Sequence, residues 1–307
     1  MGCNRYRTQK PIICNNYGGT EEKMPIEKVS TILKDAQKNE YGVAAFNIFN
    51  YETIAWVIQA AQEERIPVII QFYPGFQKFI PMKVVASITK ELAAKVDIPV
   101  GLHLDHSNNY EDAIRGAHSG FPSIMIDGSM LDFDKNVELT RRVVETAHEM
   151  GVEVEAELGH VGSGSNLEDF TDDTHFTDPG QAAKFVEMTE VDTLAIAVGN
   201  GHGPYIATPS LDFDRIRQIH KATNIPLVMH GGSDIPDDQL QESIRCGMSK
   251  FNIATEYNRA FYRTAKQHME SGNDRGYMYG CLNQIEDQVK EYIKNKIRVL
   301  NPNSYSL

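Results

Sequence analysis

From Met24 onward, short apolar runs rich in β-branched residues alternate with longer segments whose apolar positions recur at the helical period. The runs are continuous rather than alternating, the pattern of strands buried on both faces in a parallel sheet. Eight of them are predicted as strands, at 42–46, 67–72, 99–103, 123–126, 153–157, 193–198, 226–229 and 250–253. Helical patterns lie between them at 53–64, 82–95, 110–117, 136–150, 179–190, 213–222 and 237–246, and another follows the eighth strand at 255–267. Strand then helix, repeated eight times, is the sequence form of an α/β fold closed as a (β/α)8 TIM barrel.

No linker rich in Pro, Gly or Ser divides residues 24–307, so they are read as one domain. An amphipathic segment at 281–300 closes the chain as a C-terminal helix, expected to pack on the barrel or on a neighbouring subunit. Residues 1–23 are polar, Asn/Tyr/Gly-rich and aperiodic, and read as a disordered extension or as sequence upstream of a start at Met24. Met1-Gly2-Cys3 looks like a lipidated start, but Tyr6 stands where a myristoylation signal takes Ser or Thr. The stretch 158–178, after the fifth strand, is about 20 residues long, which points to a functional lid rather than a spacer.

Charge and cysteine content narrow the function classes. Forty-two acidic against thirty basic residues give a net charge of −12, which argues against a phosphate-backbone footprint and hence against nucleic acid. No apolar run approaches the ~18 residues of a membrane helix, so no membrane partner is expected. Cys3, Cys14, Cys246 and Cys281 are scattered, with no Cys-x-x-Cys, and read as reduced thiols of a cytoplasmic protein.

A (β/α)8 barrel builds its active site where the strands end, so polar residues directly after apolar runs are the candidates. The third strand leads into His103-Leu104-Asp105-His106, the fourth into Asp127, the fifth carries Glu155 and Glu157, and the sixth leads into Gly199–Gly203 with His202. The seventh ends in His230-Gly231-Gly232-Ser233 and the eighth in Asn252-Ile253-Ala254-Thr255. His106, His202 and His230, from three strand ends, could converge on one ion, since three imidazoles and an open position make a catalytic zinc site. A lone histidine beside a strand is more often structural; three at corresponding heights favour metal. His103 shares a face with Asp105 and reads as a supporting or packing residue. Asp105, beside His106, could act as general acid/base or orient a histidine. Asp127 and Glu157 could be rim hydrogen-bond partners or a second, harder metal position. Gly231–Ser233 and Asn252–Thr255 could be plain turns, but their position after strands seven and eight favours a phosphate site. The remaining histidines, among them His160 and His175, are expected to have no direct role.

These motifs, Leu-Asp-His at 104–106, Met-Ile-Asp-Gly-Ser at 125–129, Val-Glu-Ala-Glu-Leu-Gly at 154–159, Gly-x-x-His-Gly at 199–203, His-Gly-Gly-Ser-Asp-Ile-Pro at 230–236 and Asn-Ile-Ala-Thr-Glu at 252–256, are specific in combination. Over residues 24–297 the chain resembles the class II, metal-dependent ketose-bisphosphate aldolases, which include the fructose- and tagatose-1,6-bisphosphate enzymes. The resemblance implies a lyase of carbohydrate metabolism that is a homodimer or homotetramer. It implies a Zn2+ held by His106, His202 and His230, with Asp105 as proton donor and acceptor. Asp127 and Glu157 match a second or alternative cation position, and Gly203, Gly231, Gly232, Ser233, Asn252, Ile253, Ala254 and Thr255 match positions that hold dihydroxyacetone phosphate. In that chemistry the zinc stabilises the enediolate left by C3–C4 cleavage.

Two departures stand out. The family's Gly-Gly and acidic loop is replaced by Gly162-Ser163-Gly164-Ser165-Asn166-Leu167-Glu168-Asp169, which leaves the loop's part in catalysis open. Ala254 and the 233–236 run lean toward the tagatose branch. Arg259 is offered either as a contact for a second phosphate or as a surface ion pair. Other readings are an aldolase for a different aldehyde, a Schiff-base aldolase using Lys250, placed at the opening of its strand, and a non-catalytic sugar-phosphate sensor.

Overall fold

The computed structural model describes residues 26–272 and 276–307. The 1–23 extension, its Gly2 signal, Cys3 and Cys14 lie outside the described residues. Eight parallel strands close in sequence order, each paired with the next and the eighth with the first: β1 (Val43–Asn47), β2 (Val68–Phe72), β3 (Val100–Ser107), β4 (Ser123–Ile126), β5 (Glu153–Leu158), β6 (Thr193–Ile196), β7 (Leu227–Met229) and β8 (Met248–Ile253). The helices are α1 (Val29–Asn39), α2 (Tyr51–Glu64), α3 (Met82–Ala93), α4 (Tyr110–His118), α5 (Phe133–Glu149), α6 (Leu167–Thr171), α7 (Pro179–Thr189), α8 (Phe213–Thr223), α9 (Asp237–Arg245), α10 (Thr255–Ser271) and α11 (Met278–Val299). None among the described residues is long and apolar enough to cross a membrane.

Helix starts follow their capping residues. Asn50 and Thr53 form a reciprocal capping box on α2, and Asn109, Asp132, Asp178 and Asp212 cap α4, α5, α7 and α8. Asp132 explains why α5 begins three residues before its apolar periodicity does. Two elements escape a reading based on alternation. Helix α1 precedes the first strand and packs Val29, Ile32, Leu33 and Ala36 against the N-terminal ends of the barrel strands, with Ser30 bonded to Glu153. The 158–178 segment is not structureless, since it contains α6 and a 3₁₀ turn at Asp173–His175.

The C-terminal helix packs on its own barrel. Cys281, Ile285, Val289, Ile293 and Ile297 recur every fourth residue and are buried against α10 and α2. Lys290 and Lys294 pair with Glu63, and Arg298 with Glu64, along the edge of that seam. Ile293 is fully buried, so Ile293→Ala is expected to cost about 2–5 kcal/mol through lost transfer energy and the cavity left. A urea midpoint unchanged by this substitution would show that α11 is not part of the cooperative core.

Strand β3 shapes the site. It runs on to Ser107, four residues beyond its apolar run, and its register against β4 shifts between Leu104 and Ser107. Such an irregularity re-aims side chains, and it brings consecutive residues Asp105 and His106 to the same cleft.

Candidate active site

Strand ends carry the polar residues to one mouth of the barrel. His106 comes from β3, His202 from the loop after β6 and His230 from the residue after β7. One ligand nitrogen from each lies within 4.8 Å of the others. The remaining nitrogen of each of these three rings has an oxygen acceptor, which decides its tautomer. His106 Nδ1 donates to Asp127 Oδ2 at 3.0 Å, and His202 Nδ1 to the Val161 carbonyl at 3.1 Å. His106 Nε2 stands 2.9 Å from His230 Nδ1, and His202 Nε2 is buried without a hydrogen-bond partner. His230 Nε2 faces Glu155 Oε1 at 3.0 Å.

The departing loop positions His202. His202 N–H donates to the Gly162 carbonyl and Gly164 N–H to the His202 carbonyl, both at 2.7 Å, in a small parallel bridge. Asp169 in turn accepts from the Ser163 N–H and from Asn166. The altered sequence therefore still orients one imidazole.

Charges around the rings push their protonation apart. Burial works against protonating His106, but Asp105, Asp127 and Glu157 outweigh it and lift the ring to about 10. Burial together with its two imidazole neighbours drops His202 to about 3, and burial with the neighbouring His106 lowers His230. Burial and the Asp127 carboxylate raise Glu157 to about 8. For Asp105 and Asp127 burial is outweighed, at Asp105 by His106, His230 and Lys250 and at Asp127 chiefly by His106, so both carboxyls stay below the usual range. Asp127 and Glu157 form a second set with His106, again with ligand atoms within 4.8 Å.

Asp105 is held by residues that the sequence reading missed. Its Oδ2 accepts from Asn47 Nδ2 at 2.8 Å, and Asn47 Oδ1 accepts from Gln71 Nε2 at 2.9 Å. The available signal was a polar residue at the end of one apolar run, Asn47, and another inside the next, Gln71. Tyr205 also went unmarked; its hydroxyl accepts from the Gly201 N–H and donates to the Gly231 carbonyl, tying together the loops after β6 and β7.

A cleft of about 70 Å³ beside Asp105 is lined by Asn47, His106, His202, Gly203, Gly231, Ser233, Asn252, Ala254 and Thr255. It shares His106 and His202 with a wider cavity of about 300 Å³ that reaches Tyr73, Asp127, Glu157 and His160. Gly232 stands behind the cleft wall with its N–H given to the Asn252 carbonyl, and Ile253 is buried in the core. Arg259 is ion-paired with Asp234. Gly231 has φ +62°, and a Cβ there would lie 2.1 Å from the Gly201 carbonyl oxygen. Gly231→Ala is therefore expected to lose about 1–2 kcal/mol from the backbone alone and to distort the cleft; an unchanged melting temperature and kcat would contradict this.

Two further placements complete the site. His103 is a supporting residue, fully buried with Nδ1 bonded to Ser123 Oγ at 2.8 Å. Lys250 does not open its strand but sits in the third position of β8, inside the barrel, with Nζ 2.9 and 3.1 Å from the two Glu155 oxygens.

Comparison with known proteins agrees with this geometry. Residues 27–304 match the family described as Fructose-bisphosphate aldolase class-II. The YdjI aldolase from Escherichia coli K12 is 34% identical over 90% of this chain and 97% of its own, with a TM-score of 0.78. A putative fructose-1,6-biphosphate aldolase from Coccidioides immitis is 25% identical over 89% and 96%, TM-score 0.78. A fructose-bisphosphate aldolase from Campylobacter jejuni, 21% identical over 88% and 93%, shares the fold with a TM-score of 0.76. The chain, a closed (β/α)8 barrel carrying a three-histidine group at its mouth, belongs to the class II fructose-bisphosphate aldolase family.

Proposed function

We propose that the protein is a zinc-dependent aldolase that reversibly cleaves a ketose 1,6-bisphosphate, of the fructose or tagatose series, to dihydroxyacetone phosphate and glyceraldehyde 3-phosphate. The observation that carries this reading is the three-imidazole group beside an ionised, buried Asp105 in a glycine-walled cleft. The donor set fits a metal: three imidazoles suit zinc, a cation there would displace the extra proton that His106 holds in its absence, and it would satisfy the partnerless His202 Nε2. When bound, the zinc supplies Lewis acidity that stabilises the charge left by carbon–carbon cleavage.

The chain's own residues handle the proton and the phosphate. Asp105, ionised at neutral pH, removes the C4 hydroxyl proton as the C3–C4 bond breaks. The electron pair of that bond stays on C3 of the dihydroxyacetone phosphate half, which takes up a proton from solvent to complete that product, while C4 becomes the aldehyde carbon. Asp105 returns the proton in the condensation direction. Asn47 fixes the carboxylate for both steps. Gly203, Gly231, Ser233 and Thr255 line the cleft that would take the phosphate, where closely approaching backbone and the N-terminus of α10 favour an anion. Lys250, engaged by both Glu155 oxygens, offers no free amine for a Schiff base.

The test is dihydroxyacetone phosphate release from fructose-1,6-bisphosphate, tagatose-1,6-bisphosphate and fructose-1-phosphate, before and after EDTA and then with added zinc. Release should vanish with the chelator and return with zinc. Activity that survives exhaustive chelation would overturn the metal reading, and no release from any of the three would overturn the substrate reading in favour of another aldehyde or a sensor.

A further inference from the structure

Beneath the three histidines lies a buried charge pair that the proposed reaction does not use. Glu155 and Lys250 point into the barrel from β5 and β8, and both side chains are fully buried. Isolated buried charges are costly, and a buried pair is often no better for stability than apolar residues of the same volume. Stability alone is therefore a poor reason for this pair. What distinguishes it is the third member: Glu155 Oε1 lies 3.0 Å from Nε2 of His230.

Bonded to Lys250 Nζ through both oxygens, Glu155 is held as a carboxylate, which only accepts hydrogen bonds. The nitrogen it faces must carry the proton. His230 Nε2–H then donates to Glu155, and Nδ1 is left with its lone pair directed at the other two imidazoles, 2.9 Å from His106 Nε2. The nearby His103 does not compete, because its Nε2 is 3.7 Å from the same oxygen, beyond hydrogen-bond reach.

We infer that Glu155 is a positioning residue, clamped by Lys250, that fixes the tautomer and ring orientation of His230 so that Nδ1 is the metal-binding atom. The inference rests on reading His230 as a ligand. It adds the device on which that ligand depends: a carboxylate partner behind a ligating imidazole fixes its tautomer and raises its basicity. Lys250 contributes by keeping the carboxylate charged and immobile.

Two double variants separate this role from a structural one. Glu155→Leu with Lys250→Met removes the acceptor and both charges, whereas Glu155→Gln with Lys250→Met removes the charges but leaves an amide oxygen to accept from Nε2–H. The first should weaken zinc affinity, measured by competition with a chelating dye, by about 10–100-fold. The second should recover most of that loss. Equal affinities in the two folded variants would overturn the inference, since a merely structural pair predicts equal effects. The second readout needs neither variant nor activity. In ¹⁵N-histidine NMR of the metal-free wild-type protein, His230 should be the Nε2–H tautomer, and an Nδ1–H tautomer would overturn the inference even if every substrate tested were turned over. Failure of the aldolase assay with the Nε2–H tautomer present would instead count against the proposed reaction.

Discussion

Asp105→Ala is expected to lower kcat by about 10²–10⁴-fold, the usual worth of a positioned general acid/base, and to leave zinc binding intact. The separation follows from the geometry. The Asp105 carboxylate lies 3.9 Å from His106 Nε2, too far for a hydrogen bond, and its close partner is Asn47. Removing it leaves His106 bonded to Asp127, His202 to Val161 and His230 facing Glu155, so each imidazole keeps the contact that orients it. The same variant frees Asn47 Nδ2, but in a cleft open to water, where an amide readily finds another partner. Metal content by mass spectrometry should thus remain at the wild-type level while turnover falls. Turnover within a few-fold of wild type would refute the role of Asp105, and loss of metal would show that its role is to build the site rather than to move a proton.

The fold was legible because both of its periods are simple. Continuous apolar runs such as Val68–Phe72 and Ser123–Ile126 can be read as doubly buried strands without any knowledge of their partners. The candidate site was legible for a related reason: in a barrel, the position where an apolar run ends states which mouth a side chain reaches. His106, Asp127, His202 and His230 all obey that rule. What escaped lies where tertiary contacts overrule local pattern. Strand β3 looked finished at His103 because Asp105 and His106 are polar, yet pairing of Ser107 with Ile126 carries the strand four residues further. Asn47 and Gln71 are invisible as a relay until their strands are side by side. Lys250 was counted as a strand opener because Met248 and Ser249 do not extend an obvious apolar run, although the ladder with β7 begins at Met248. The 162–169 loop departs from the family pattern in residue type, yet its backbone pairs with that of His202, and spacing alone does not reveal a backbone contact.

Lys250→Met alone is expected to destabilise the protein by about 3–5 kcal/mol, the cost of leaving one member of a buried ion pair uncompensated. Methionine matches the length of the lysine stem, so the cavity contribution is small and the loss is electrostatic. Glu155 would then keep only neutral partners in the buried interior, His230, the Thr193 hydroxyl at 3.3 Å and a more distant His103. Sign and size together distinguish this from ordinary core damage. Replacing Glu155 by glutamine in the same chain removes the stranded charge, so the double variant should be more stable than the single one, the reverse of what two independent losses would give. Chemical denaturation of the metal-free proteins measures both, keeping ligand linkage out of the comparison. A single variant as stable as wild type would mean that Glu155 takes up a proton inside the barrel, and His230 would then lose the charged partner that holds its ring.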